Sequence, residues 1–302
     1  MKAWFRSLAA RVAVKLLRLT NAPRQFDTLH SAGWINGGAM LRERYGAPPP
    51  QDHSRRINAY EARAFSQRGE DGILLYIFSR IGTINKRFVE FGVEDGRECN
   101  TTNLAINFGW RGLMMDGGLA NVAAGRAFFA AMVPDDPAAV TFEQAWITRE
   151  NINQLLNKNS LSGEIDLLSI DVDGNDYWIW KEINVIKPRV VVIEYNPSFG
   201  AERSVTVPYE AEFDRWQKHP TGYYHGASLA ALEKLGRELG YRLVGCSSWG
   251  SNAFFVRADL AGNEFSGFCS REVYIPGYVR LLAGYSTEQQ FNLIRGLPLV
   301  DV

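Results

Sequence analysis

The feature that most constrains this chain is an alternation of short apolar runs with amphipathic stretches between residues 87 and 257. The apolar runs are Arg87 to Gly92 (RFVEFG), Arg111 to Asp116 (RGLMMD), Ile165 to Asp171 (IDLLSID) and Arg189 to Tyr195 (RVVVIEY). Each is four to eight residues long and rich in residues that suit a strand buried on both faces. Helical spacing separates them: over Glu70 to Ile81, over Cys99 to Phe108, after a Thr148 N-cap with Ile152, Leu155 and Leu156, and over Tyr177 to Ile186. Ser228 to Leu239 reads as a further helix with Gly240 at its C′ position. Tyr241 to Cys246 and Asn252 to Arg257 are six-residue strands close enough to pair as a hairpin. Strands alternating with helices predict an α/β fold with a mostly parallel sheet covered on both faces, and the late hairpin adds an antiparallel strand.

The flanking segments differ. Met1 to Arg24 carries Lys2, Arg6, Arg11, Lys15, Arg18 and Arg24 and no acid, with apolar residues at helical spacing. It reads as a basic amphipathic helix; Arg11 and Lys15 interrupt the apolar core that a secretory signal needs. Such a helix suits an anionic membrane surface, another subunit or the chain's own body. Residues 21–58, broken by Gly37-Gly38 and Pro48-Pro49-Pro50, read as a linker arm. The expected organisation is an arm over 1–58, a main domain over 59–260 and a C-terminal extension over 261–302.

The formal charge balances, with 33 bases and 33 acids, but six bases lie in the first 24 residues, so the body is mildly acidic. That argues against long nucleic acid as a partner. Three cysteines with no CxxC argue against a disulfide framework and a structural zinc site, and no run of about 18 uncharged apolar residues predicts a membrane span. The expected setting is cytoplasmic, with peripheral membrane contact or homo-oligomer formation left open.

The strongest chemical signal is Val89-Glu90-Phe91-Gly92-Val93-Glu94-Asp95-Gly96, an apolar strand running into a turn with two glycines. Glycine lets the backbone approach a ligand closely. The spacing is not the dinucleotide GxGxxG, and acids beside the turn repel phosphate. An acidic glycine turn suits a ligand with a cationic amine or sulfonium and ribose hydroxyls. Asp116, about 20 residues on at the end of the next strand, is placed to accept two ribose hydroxyls.

These stretches resemble class I S-adenosylmethionine-dependent methyltransferases, and more narrowly the FkbM-like branch. The resemblance rests on SQRGEDG at 66–72, FVEFGVEDGRECNT at 88–101, GWRGLMMDG at 109–117, LLSIDVDGNDYWIW at 167–180 and VVVIEYNP at 190–197. It implies a Rossmann-like, mostly parallel seven-stranded sheet with an antiparallel last strand. It also implies S-adenosylmethionine held by Glu90, Gly92, Glu94, Gly96, Asn100, Thr101, Asp116 and Asp171, and methyl transfer to a hydroxyl of a glycan or sugar-bearing small molecule by in-line displacement. Glu94-Asp95 in the first motif and Asp171-Val172-Asp173-Gly174-Asn175 after the later strand depart from the family's pattern and leave the substrate open.

Asp171, Asp173, Asn175 and Asp176 form a second cluster, with Glu194 and Asn196 ending the neighbouring strand. Oxygen ligands from Asp171, Asp173, Glu194 and Asn196 suit Mg²⁺; a cation-free substrate contact and simple turn capping are the alternatives. Asp176 stands where an EF-hand loop needs glycine, so that reading fails. His225, before the Ser228 helix, is a candidate general base beside Asp171, or a hydrogen-bonded structural residue. Trp178 and Trp180 read as core. Cys99 lies at a helix start, where a dipole lowers a thiol's pKa, but methyl transfer needs no nucleophilic thiol. A non-catalytic nucleoside-binding relative and a metal-dependent sugar-nucleotide transferase using Asp171-Val172-Asp173 are the competing readings.

Overall fold

The computed structural model describes residues 53–302. The expected basic helix over 1–24 and most of the linker arm lie outside the described residues. Among the described residues, no helix is long and apolar enough to cross a membrane.

Seven strands build one sheet: β1 (Arg87–Phe91), β2 (Arg111–Asp116), β3 (Val140–Gln144), β4 (Gly163–Ile170), β5 (Ile186–Glu194), β7 (Tyr241–Cys246) and β8 (Asn252–Arg257), in the spatial order β3-β2-β1-β4-β5-β8-β7. Strands β1 to β5 are parallel to their neighbours, and β8 runs antiparallel to both β5 and β7. This is the expected Rossmann-like α/β sheet, with its reversed strand inserted second from the edge. A separate two-stranded ribbon joins β6 (Val205–Thr206) to β9 (Val300–Asp301), tying the end of the chain to the segment after β5.

Period-two alternation explains the continuous apolar runs. Phe88, Met114, Val190, Val192, Phe254 and Val256 enter the core on one face, under the helices Glu70–Ile81, Thr102–Phe108 and Leu119–Met132. Val89, Phe91, Leu113, Met115, Val191, Ile193 and Phe255 enter the other core, under Ile152–Lys158, Asp176–Glu182 and Leu229–Glu238. Trp180 is buried there against Phe255 and Tyr241, as expected. Trp178, half-buried, packs against the same core and also donates its indole N–H to the Val207 carbonyl at 2.9 Å.

Several local expectations shift. The helix after Thr148 is capped by Asn151, while Thr148 belongs to a preceding turn whose carbonyl accepts the Asn151 and Ile152 N–H groups. The helix expected from Cys99 begins at Thr102, and that expected to Ile186 ends at Glu182, because Ile186 opens β5. Ser228 caps the Leu229–Glu238 helix by accepting the Ala231 N–H, and Gly240 follows with φ +86°. Strand β3 and the helix Leu119–Met132 carry no expectation from the sequence. The strand VTFEQ is a short edge strand with only two core residues, whereas the helix shows Val122, Phe128 and Phe129 at helical spacing.

Candidate functional site

The chain turns in opposite directions from β1 and from β4, so a crevice opens between the loops that leave these two strands, at the carboxyl edge of the sheet. A cavity of about 860 Å³ lies there. Gly92, first out of β1, has φ +69°, and a Cβ on it would sit 1.7 Å from the Asp171 carbonyl oxygen, first out of β4. Only glycine lets these two loops close on each other. Glu94, with φ +47°, and Asp173, with φ +58°, are non-glycine residues in the left-handed region at the cavity wall, a strain that clusters at functional sites.

Asp116 ends β2 in the wall. Its carboxylate accepts the N–H of Glu94 at 2.9 Å, the N–H of Gly118 at 2.7 Å and the Asn121 amide at 3.0 Å. One oxygen takes the Glu94 N–H, so Asp116 ties the glycine turn to β2 and keeps lone-pair capacity for a ligand hydroxyl. Beside it, half-exposed Trp146 packs over Gly117 and donates its indole N–H to the Ala211 carbonyl at 2.7 Å. This links the β3 loop to the segment that follows β6.

The wall is acidic. Glu94, Asp95, Glu98, Asp116, Asp171, Asp173, Glu194 and Asp214 line it, against Arg97 and Arg215. Two of these carboxyl groups are pushed apart. Burial raises Asp171 well above the usual carboxylate range, and the nearby charges of Glu194, Asp173 and Asp176 raise it further. Burial also acts on Glu194, but the nearby His225 and the charges of Arg215 and Arg280 outweigh it and hold Glu194 low. Asp176 accepts the Val172 and Gly174 N–H groups and is raised to about 7, by burial first and then by Glu194.

The structure keeps some expected residues from the cavity. Glu90 is buried beneath the turn, where its carboxylate accepts the N–H groups of Asn100 (2.9 Å) and Thr101 (3.0 Å) and the hydroxyls of Thr101 (2.5 Å) and Ser169 (3.0 Å). Its neighbours consume its acceptors, so it braces the helix start instead of facing a ligand. Asn100 and Thr101 are spent in the same network, and Gly96 turns with φ +74° against Phe142 and Phe129. None of these four lines the cavity; Gly92, Glu94, Asp116 and Asp171 do. Cys99 is buried beside Glu90, Asp95 and Glu94, and burial drives its thiol upward, opposite to the helix-start expectation.

The expected metal set also changes. Asn196 is fully buried and spent: its amide donates to the Tyr223 and His225 carbonyls, and its oxygen accepts from the Ser198 N–H and Arg280. It offers no atom to an ion. Ligand-type atoms of Asp173, Glu194 and His225 lie within 4.8 Å of one another, yet Asp173 is already paired with Arg215. His225 is fully buried, with Nε2 2.9 Å from an Arg280 nitrogen and Nδ1 3.4 Å from Glu194. Both ring nitrogens face protein groups, so the expected role of a base touching substrate does not hold; Asp171, its expected companion, does line the cavity. Arg215 and Arg280 carry no sequence signal, since each is a lone arginine distant in the chain from the motifs.

No family model and no curated protein matches this chain. It is similar to several solved structures. The CurJ carbon methyltransferase matches at 11% identity over 79% of this chain and 71% of that one, with a TM-score of 0.40. The geranyl diphosphate C-methyltransferase from Streptomyces coelicolor A3(2) matches at 13% identity over 67% and 70%, with a TM-score of 0.38. The arsenic(III) S-adenosylmethionine methyltransferase CrArsM from Chlamydomonas reinhardtii matches at 16% identity over 58% and 62%, with a TM-score of 0.37. The matched part ranges from 40% to 96% of the other chain among such structures.

Proposed function

We propose that this chain is an S-adenosylmethionine-dependent O-methyltransferase of the FkbM-like kind, acting on a hydroxyl of a glycan or sugar-bearing small molecule. The observation that carries the cofactor reading is the acidic cavity at the β1–β4 crevice, with its glycine cradle at Gly92 and Asp116 at the end of β2. A wall with eight acids and two arginines attracts a cationic sulfonium and amine and repels the diphosphate of a sugar nucleotide. The hydroxyl acceptor and its sugar class rest on the sequence resemblance.

S-adenosylmethionine, when bound, supplies a methyl carbon on a positively charged sulfur. Gly92 provides the close backbone approach, and Asp116 accepts ribose hydroxyls while it anchors the Glu94 turn. Trp146 presents an aromatic ring fixed by Gly117 and Ala211. Asp171, raised by its buried acidic surroundings, takes the proton of the acceptor hydroxyl, and Glu194 remains the fixed anion. Arg215, paired with Asp173, supplies positive charge where Mg²⁺ was expected.

Calorimetry of the full chain with S-adenosylmethionine and S-adenosylhomocysteine, followed by radiolabelled methyl transfer to a panel of oligosaccharides and simple glycosides, tests this reading. Failure of both sulfur nucleosides to bind refutes it; binding with no acceptor methylated leaves the nucleoside-binding relative as the better account. Attachment through the basic residues 1–24 to an anionic membrane is a companion proposal. Absence of the full chain from sedimented phosphatidylserine vesicles refutes it.

A further inference from the structure

The C-terminal extension sends one charged side chain behind the wall of the cavity. Arg280, on the short helix Tyr278–Leu282, donates to Asn196 Oδ1 at 2.7 Å and to Ser198 Oγ at 2.5 Å, and its second terminal nitrogen is 2.9 Å from His225 Nε2. Burial brings the guanidinium down to about 10, with Glu194 opposing the shift. None of the three direct partners is a carboxylate.

A guanidinium has only donors, so Nε2 of His225 must be the acceptor in this contact. The ring's remaining proton is then on Nδ1. That atom faces Glu194 Oε2 at 3.4 Å, short of hydrogen-bond geometry, and neither atom has a hydrogen-bond partner elsewhere. The contact is long and its alignment loose, but two buried polar atoms that have only each other are held together by the cost of separating them. Glu194 in turn lines the cavity beside Asp171. A relay of contacts therefore runs from the C-terminal helix through the imidazole to the reacting end of the site.

We propose that Arg280 is a positioning residue: by donating to Nε2 it fixes His225 as the neutral Nδ1–H tautomer, whose N–H holds the Glu194 carboxylate in the cavity wall. The C-terminal extension is thus part of the site. With a proton on Nδ1, His225 has no lone pair directed at Asp173 and Glu194, so the three residues do not form a metal site.

The test is ¹⁵N-histidine labelling of the full-length protein, with long-range ¹H–¹⁵N correlation spectra that distinguish the two neutral tautomers. His225→Gln identifies the resonance among the four histidines. The expected result is an Nδ1–H ring at neutral pH in the wild type, loss of that single tautomer in Arg280→Met, and its recovery in Arg280→Lys. An Nε2–H ring in the wild type overturns the proposal, and that measurement stands even where Arg280→Met does not fold. An unchanged tautomer in folded Arg280→Met overturns it equally. The proposal rests on the methyl-transfer reading for one further readout, a lower kcat in Arg280→Met with S-adenosylhomocysteine affinity retained; an unchanged kcat removes the positioning role. The tautomer is read without substrate, so it stands or falls separately from that reading.

Discussion

Gly92→Ala is the most informative single change. Gly92 has φ +69°, and a Cβ there would meet the Asp171 carbonyl oxygen at 1.7 Å and its carbonyl carbon at 2.9 Å. The left-handed backbone costs an alanine about 1–2 kcal/mol. Relieving the overlap requires the loops after β1 and β4 to part by more than about 1 Å, and overpacking of this kind adds about 1–3 kcal/mol. The sum is a destabilisation of about 2–5 kcal/mol, read as a lower urea midpoint. Gly109→Ala is the control: Gly109 has φ +67° but nothing within 4 Å of its Cβ position, so it should cost only the backbone part. The movement also strains the Gly92 N–H bond to the Met115 carbonyl (2.9 Å) and displaces Asp171. A shift of about 1 Å at a reacting centre lowers turnover about 100-fold. Urea unfolding and calorimetric titration with S-adenosylhomocysteine check both halves. If Gly92→Ala unfolds no more easily than Gly109→Ala and binds the nucleoside with wild-type affinity, the close approach of the two loops does not shape the site.

Three further expectations use the same site. Asp171→Asn, which removes the raised base but keeps its shape, should lower kcat by about 10²–10⁴-fold with nucleoside affinity retained; wild-type turnover would falsify the base assignment. Asp116→Ala removes a carboxylate that holds three donors, at about 1.5–3 kcal/mol for charged hydrogen bonds, and should weaken nucleoside binding about 10–100-fold; unchanged calorimetry would reject the ribose role. The third concerns pH. Asp71 is raised to about 6 and Asp176 to about 7, mainly by burial, and Asp171 is raised as well. Between about pH 4 and 7 the folded state holds protons that the unfolded state has released, so stability falls as pH rises through this window. Glu90, raised by burial, acts with them, and His225, lowered by burial, acts in the opposite direction as one group against four. The urea midpoint should therefore be higher at pH 5 than at pH 8, and a midpoint that rises over this range contradicts the balance.

Much of the sheet was legible because the information is local. Runs such as RVVVIEY are apolar on both sides of the pleat, which only a strand covered by helices on both faces can use. The positions of Gly92 and Asp116 at the crevice were legible for a related reason: a glycine after a strand and an acid at the end of the next are read from spacing alone. Strand β3 was not, since VTFEQ buries little and lies at an edge. Glu90 was misread, although a signal was present. Period two places it with Phe88, on the face covered by helix Thr102–Phe108, where a carboxylate must find donors within the protein.

The chain's alternating pattern thus determined the sheet and the location of its crevice, through turn chemistry and periodicity that act over a few residues. The tertiary structure decided which acids open on the cavity and which are spent inside it. It also decided that Arg280 meets His225 and Arg215 meets Asp173, pairs separated by 55 and 42 residues. Such contacts depend on the folding of the segments after β5 and β8 onto the sheet's carboxyl edge. A charge in a sequence does not state what will face it; the charge of a buried carboxyl group is set by the donors and charges that the fold brings against it.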